Sequence, residues 1–206
     1  NRSRYQTPLL LIPPLGVTAN TFDLMPERSL VRYMAARGFK VYLLDWGKPT
    51  QEHAHLGFSD YAGDLLAKAI HAVRRHAACD DISMMGWCMG GLLALLHQGM
   101  TQDPQIKNII TVASPIDLQS GGLVAVISHL LNTPAQVIRK YTDLRMEAIN
   151  PRLFHFPAWL TTLTFKLTNP VGSITTYWDL MTHLSDRRFV ESHTTTLNYL
   201  TNMLLY

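Results

Sequence analysis

The sequence predicts an α/β fold built on a parallel sheet, and three observations carry that expectation. Apolar, strand-like runs alternate with helix-patterned segments from Pro8 to Ala113. A Gly-x-Cys-x-Gly turn, Gly86-Trp87-Cys88-Met89-Gly90, joins one of those runs to the helical stretch after it. The chain has 206 residues, 47% of them hydrophobic, enough for one large unit with a buried core. Strands linked through helices run parallel, because the crossover returns the chain to the same end of the sheet.

Taken in order, Pro8 to Ile12 reads as a buried strand stopped by Pro13-Pro14-Leu15-Gly16. Ser29 to Arg37 has helical spacing and ends at Gly38, a residue suited to the position after a helix. Phe39 to Leu44 is β-rich and ends at Asp45-Trp46-Gly47. Ser59 is the expected cap of a helix over Asp60 to His76, with Tyr61, Leu65, Leu66, Ala69, Ile70 and Val73 as its apolar stripe. Ile82–Met85 is the third strand, Gly91–Met100 its helix, and Lys107–Ala113 the fourth strand. Ligands of such sheets bind at the carboxyl ends of the strands, where Cys88, the Pro13–Gly16 loop and the Ser114–Asp117 loop all fall. Residues 1–120 therefore read as the core. From Gly121 to Tyr206 the alternation stops, and Pro134, Pro151, Pro157 and Pro170 break a Thr-rich, mainly helical stretch. With apolar clusters at Leu153–Leu160, Tyr177-Trp178 and Met181, residues 121–206 read as a cap or lid; ordinary helix packing is the plainer reading of the same aromatics.

The chemistry concentrates at Cys88. A sharp strand-to-helix turn strains the nucleophile's backbone, and Gly86 and Gly90 remove the side chains that would collide there. The helix start aims its N–H groups at the reacting atom, so the Met89 amide can stabilise an oxyanion and negative charge on sulfur is favoured. Gly-x-Cys-x-Gly occurs by chance in on the order of one chain in a hundred, and most buried cysteines are inert. The strand before it and the helical Leu92-Leu93-Ala94-Leu95-Leu96 after it lift it above chance.

Composition excludes several classes. The formal charge of +3 is spread without a Lys/Arg block, against nucleic-acid binding. No apolar run approaches the roughly 18 residues a membrane span needs, and no signal peptide opens the chain. Two cysteines, Cys79 and Cys88, make no disulfide framework, and a nucleophilic thiol suits a reducing cytoplasm. The nine histidines lack metal-ligand spacing, so neither a metal nor a bound cofactor is expected.

These residues resemble the polyhydroxyalkanoate (poly-3-hydroxybutyrate) synthases, cysteine-dependent members of the α/β-hydrolase superfamily. Similar are the Pro13-Pro14 loop, Asp23-Leu24, Pro26–Ser29, Val31-Arg32, Gly38-Phe39, Val41–Gly47, Asp60-Tyr61, Gly86–Gly91 and Pro115–Asp117, in that order. The Asp-Trp-Gly and Ser-Pro-Ile-Asp-Leu segments look closest to the branch whose catalytic subunit works with a second subunit. The resemblance implies an acyltransferase that polymerises (R)-3-hydroxyacyl coenzyme A through an acyl-cysteine on Cys88, with Met89 and the Leu15–Gly16 loop as oxyanion hole. It implies a polyester chain, a polymer granule surface, and a second synthase subunit or second copy as partners, in the cytoplasm or on granules. Coenzyme A enters as the substrate thioester.

The chain departs from that pattern in two places. Where the family commonly has an Asn followed by a basic residue, this sequence has Val17 and Thr18. Hydrolase-fold triads also run nucleophile, acid, histidine, each on a later strand; in the family the acid and histidine lie beyond the point matching Tyr206, so the chain is expected to be a fragment without activity of its own. Asp117 with His129, His155, His183 or His193 is the weaker internal alternative, since those histidines sit in helical and Pro-broken segments. Asp45 reads as a strand-end hydrogen-bonding residue and Cys79 as a packing residue. Two rival functions remain open: a cysteine-dependent hydrolase or thioesterase, and a non-catalytic granule- or partner-binding module.

Overall fold

In a computed structural model, which describes residues 4–15, 17–47, 50, 53, 55–117, 179, 182–183 and 186–203, four successive aliphatic residues form β1, Leu9–Ile12. All four are buried, as a strand covered on both faces must be, and their alternation feeds two cores. Leu10 and Ile12 pack with Leu66, Ile70, Val73, Ile82, Met84 and Ala94. Leu9 and Leu11 pack with Phe22, and Leu30, Val31, Met34 and Met85 close that side.

β1 pairs in parallel with β4, Val41–Leu43, through Leu9↔Val41, and with β5, Ile82–Trp87, through Leu9↔Ser83. β6, Ile106–Val112, pairs in parallel with β5 and completes the order β4-β1-β5-β6. The helices lie between these strands in sequence: α1, Leu30–Ala36; α2, Phe58–Asp60, continued by α3, Leu66–Ala77; and α4, Met89–Thr101. The fold is the predicted parallel α/β sheet of an α/β-hydrolase core. A short antiparallel pair, β2 (Asp23–Met25) with β3 (Arg28–Ser29), was not expected from the sequence; it lacks the apolar alternation that marks a strand.

Ser29 caps α1, its Oγ accepting from the Arg32 N–H at 2.9 Å, and Gly38 follows the helix at φ +93°. The one cap expected from the sequence, Ser59, is corrected. Gly57, not Ser59, begins α2, because the Asp60 carboxylate reaches back to the Gly57 N–H at 2.7 Å and leaves Ser59 inside the first turn. The helix is also not continuous: a π turn, Tyr61–Leu65, separates α2 from α3. The extra residue shifts the helical phase, so Ala62, outside the expected stripe, is buried while Tyr61 and Leu65 are only partly covered. Past the turn, Leu66, Ile70 and Val73 are buried as expected. The Leu66 N–H bonds to Tyr61 O and Gly63 O, and the bypassed Ala62 carbonyl accepts from Nδ1–H of His97, itself buried, at 2.6 Å.

At the amino end of the sheet, Arg74 of α3 donates through Nη1 to Asp103 at 2.7 Å, and both side chains are largely covered. That hydrogen bond holds the Asp103 carboxyl below its ordinary value of 3.8, against the opposing effect of burial and with help from the Gln105 N–H. A lowered carboxylate pKa contributes stability above the unfolded value and loses it as pH falls through the folded one. Asp103→Asn should therefore cost about 1 kcal/mol at pH 7 in urea unfolding, with the gap to wild type closing below about pH 4.

The chain divides into two compact units, Asn1–Pro115 and Ile116–Tyr206. In the second, α5 spans Arg187–Met203. Most of the expected cap, including Leu153–Leu160, Tyr177-Trp178 and Met181, lies outside the described residues. Among the described residues no helix is long and apolar enough to cross a membrane.

Candidate active site

β5 and α4 meet at Cys88, whose backbone takes φ 52° and ψ −120°, a conformation that side-chain-bearing residues rarely adopt and that costs about 1–3 kcal/mol. Bonds on both sides hold it there. Its N–H donates to Val112 O at 2.8 Å, anchoring it to the end of β6, while its carbonyl accepts from the Gly91 and Leu92 N–H groups at 3.1 and 3.4 Å. One residue is thus bonded to the sheet through its nitrogen and to the helix through its oxygen. Met89 and Gly90, the first two residues of α4, have N–H groups with no carbonyl a turn earlier to accept them. These donors lie at the positive end of the helix, beside the half-buried, disulfide-free Cys88.

The glycines do more here than the motif implied. A Cβ on Gly86 would strike the backbone of Gly90 and Gly91, and one on Gly90 would strike the Ile12 carbonyl and lie 2.8 Å from Pro13 O. They let the start of α4 rest directly on the carboxyl ends of β1 and β5, rather than only relieving Cys88. Gly91, which the sequence reading did not select, is equally confined: a Cβ there would meet Ser114 Oγ and stand 3.2 Å from Thr111 Cβ. The adjacent pair Gly90-Gly91 was the available signal.

Of the two residues expected to complete an oxyanion hole, Leu15 is half-buried just past β1, and Gly16 lies outside the described residues. Pro13 begins this loop, and its carbonyl accepts from Nε1–H of Trp46 at 2.9 Å. The Trp46 and Tyr61 rings meet in a T-shaped contact with centroids 5.5 Å apart. Trp87, next to Cys88, is 43% exposed and makes an edge contact with Phe22.

The other candidates have local tasks. Asp45 Oδ1 accepts from the Gly47 N–H at 3.0 Å, a strand-end turn. Cys79 borders an open cavity of about 500 Å³ with His71, Arg74 and Arg75, at the amino end of β5 and so at the opposite end of that strand from Cys88. His183 Nδ1 lies 3.0 Å from Asp179 O, and its ring and that of His193 both contact Phe189. Asp117 is exposed; His129 and His155 lie outside the described residues. Among the described residues no hydrogen bond to Cys88 Sγ is present, and no group of three or more His, Cys, Asp or Glu could hold a metal ion.

Comparison with known proteins adds the lineage. Residues 27–161 match the family model described as serine aminopeptidase, S33. The chain is similar to the poly(3-hydroxyalkanoate) polymerase subunit PhaC of Haloferax mediterranei, 26% identical over 92% of this chain and 37% of that protein. It is similar as well to the PhaC subunit of Thiocystis violacea, 29% identical over 57% of this chain and 33% of that one. Among solved structures, an extracellular α/β-hydrolase from a Paenibacillus species matches at 15% identity and TM-score 0.42, over 65% of this chain and 57% of that one. The chain spans about a third of the length of these polymerase subunits.

Proposed function

The chain belongs to the serine aminopeptidase (S33) family of α/β-hydrolases, and we propose that within that fold it is the nucleophile-bearing part of a poly(3-hydroxyalkanoate) polymerase, with Cys88 forming the acyl-enzyme. The observation that carries this reading is the strained Cys88, fixed between β6 and α4 beside the Met89 and Gly90 N–H groups. Similarity to the Haloferax mediterranei polymerase subunit over 92% of the chain supports the choice of substrate class.

In this reading a histidine outside the described residues takes the Cys88 proton, and sulfur attacks the thioester carbon of a (R)-3-hydroxyacyl coenzyme A. The carbonyl oxygen becomes an oxyanion held by the Met89 N–H and by an amide of the Leu15–Gly16 loop. The carbon–sulfur bond to coenzyme A breaks, the departing thiolate takes the proton, and an acyl-cysteine remains. The hydroxyl of another hydroxyacyl unit then attacks that acyl carbon, its proton goes to the base, an ester forms and the Cys88 thiolate is released. Thioester exchange between two thiols is nearly neutral in free energy, so a cysteine suits acyl loading better than a serine does. The protein works in the cytoplasm, on granules of its product, with a second synthase subunit or a second copy of itself.

The test is to mix the full-length protein carrying this chain with 3-hydroxybutyryl coenzyme A, quench it, and map the adduct by mass spectrometry. The peptide containing Cys88 should gain the acyl mass, the peptide containing Cys79 should not, and the product should be polymer. An adduct elsewhere sinks the nucleophile assignment; free hydroxy acid as the sole product makes the protein a hydrolase instead.

A further inference from the structure

We propose that Trp46 is a positioning residue for the oxyanion loop, acting through the Pro13 carbonyl; this rests on the acyl-transfer reading above. The Pro13 peptide is gripped from two sides. On one, Trp46 Nε1–H donates to its oxygen at 2.9 Å. On the other, the same oxygen stands 2.8 Å from where a Cβ on Gly90 would be, hard against the first turn of α4. The Ile12 and Pro13 carbonyls both rest against the first turn of α4, so the Met89 N–H, one wall of the oxyanion hole, and the loop that supplies the other wall are registered to each other there, and of the two carbonyls it is Pro13's that Trp46 bonds. Pro13 is buried and cannot donate, so its oxygen is the only backbone hydrogen-bonding group by which that residue can be fixed.

Trp46 is itself held. The Tyr61 ring meets the indole edge to face, with the two planes at 80°, and Tyr61 opens the π turn whose bypassed Ala62 carbonyl is bonded by His97. The π turn thus begins at the residue that packs on Trp46, and π turns concentrate near functional sites. Loss of the indole donor leaves a buried carbonyl unpaired and frees the segment leading to Leu15, where displacement by a fraction of an ångström weakens a donor aimed at the oxyanion.

The experiment compares wild type with Trp46→Phe in the full-length protein, with a second variant carrying 3-benzothienylalanine at position 46, which keeps the indole shape and replaces N–H with sulfur. Both should lower kcat for 3-hydroxybutyryl coenzyme A consumption by about 10- to 100-fold, less than removal of a complete oxyanion donor. KM should stay within about twofold, and so should the rate of Cys88 alkylation by iodoacetamide, which forms no oxyanion. Unchanged kcat in the benzothienyl variant overturns the proposal, as does an alkylation rate that falls in parallel with kcat, since that marks a general collapse of the elbow. Consumption that survives Cys88→Ala overturns the acyl-cysteine reading itself, and this assignment with it.

Discussion

Cys88→Ala in the full-length protein is expected to lower acyl transfer by about 10⁴-fold or more, the scale seen when a covalent nucleophile is removed and only binding and the oxyanion donors remain. No neighbour can substitute, because the elbow presents a single side chain at the point where β5 ends and α4 begins. Cys88→Ser should retain little more, since a base matched to a thiol is too weak for an alcohol. Cys79→Ala should leave the rate within about twofold, being at the other end of β5. Equal losses at the two cysteines, measured as coenzyme A release, would move the site away from Cys88.

Gly90→Ala is expected to be strongly destabilising. The new Cβ would meet main-chain oxygen of Ile12, which cannot rotate away as a flexible side chain can, so either α4 or the end of β1 must shift. Overpacking against backbone should cost about 3 kcal/mol or more in urea unfolding. Gly99→Ala, in the same helix, is the matched control. Nothing lies within 4 Å of its Cβ position, and replacing a glycine in the last turn of a helix in open space should stabilise by about 0.5 kcal/mol. Gly90 and Gly99 variants that shift the midpoint in the same direction would contradict the packing described for the elbow.

What could be read from the chain follows from what each feature depends on. The four sheet strands are local, since a buried strand needs only successive apolar residues. The Gly-x-Cys-x-Gly box was legible because its conformation is decided within five residues. The π turn was not, since its stabilising partners, Trp46 and His97, come from distant elements and no local pattern distinguishes an α-helix from one carrying an extra residue. Ser59 reads as the cap from its residue type alone, whereas the helix start is set at Gly57 by the Asp60 carboxylate reaching back to its N–H. The part of Gly91 and Trp46 in the site depends on contacts with Ser114 and Pro13, tens of residues away in sequence, and composition alone gives no hint of either.

The position of β1 between β4 and β5 also sets a clock on synthesis. Its two hydrogen-bonding edges are claimed by segments about 32 and 74 residues further along, from the pairings Leu9↔Val41 and Leu9↔Ser83. At about 5–20 residues per second of translation, the strand leaves the ribosome roughly 4–15 s before β5 exists to cover its second edge. Through that interval Leu9-Leu10-Leu11-Ile12, the most apolar strand of the sheet, has at most one partner and no complete core on either face. A chaperone that shields short aliphatic stretches on nascent chains would find its clearest target there, and yield on expression should depend on that shielding more steeply than the stability of the finished fold would suggest.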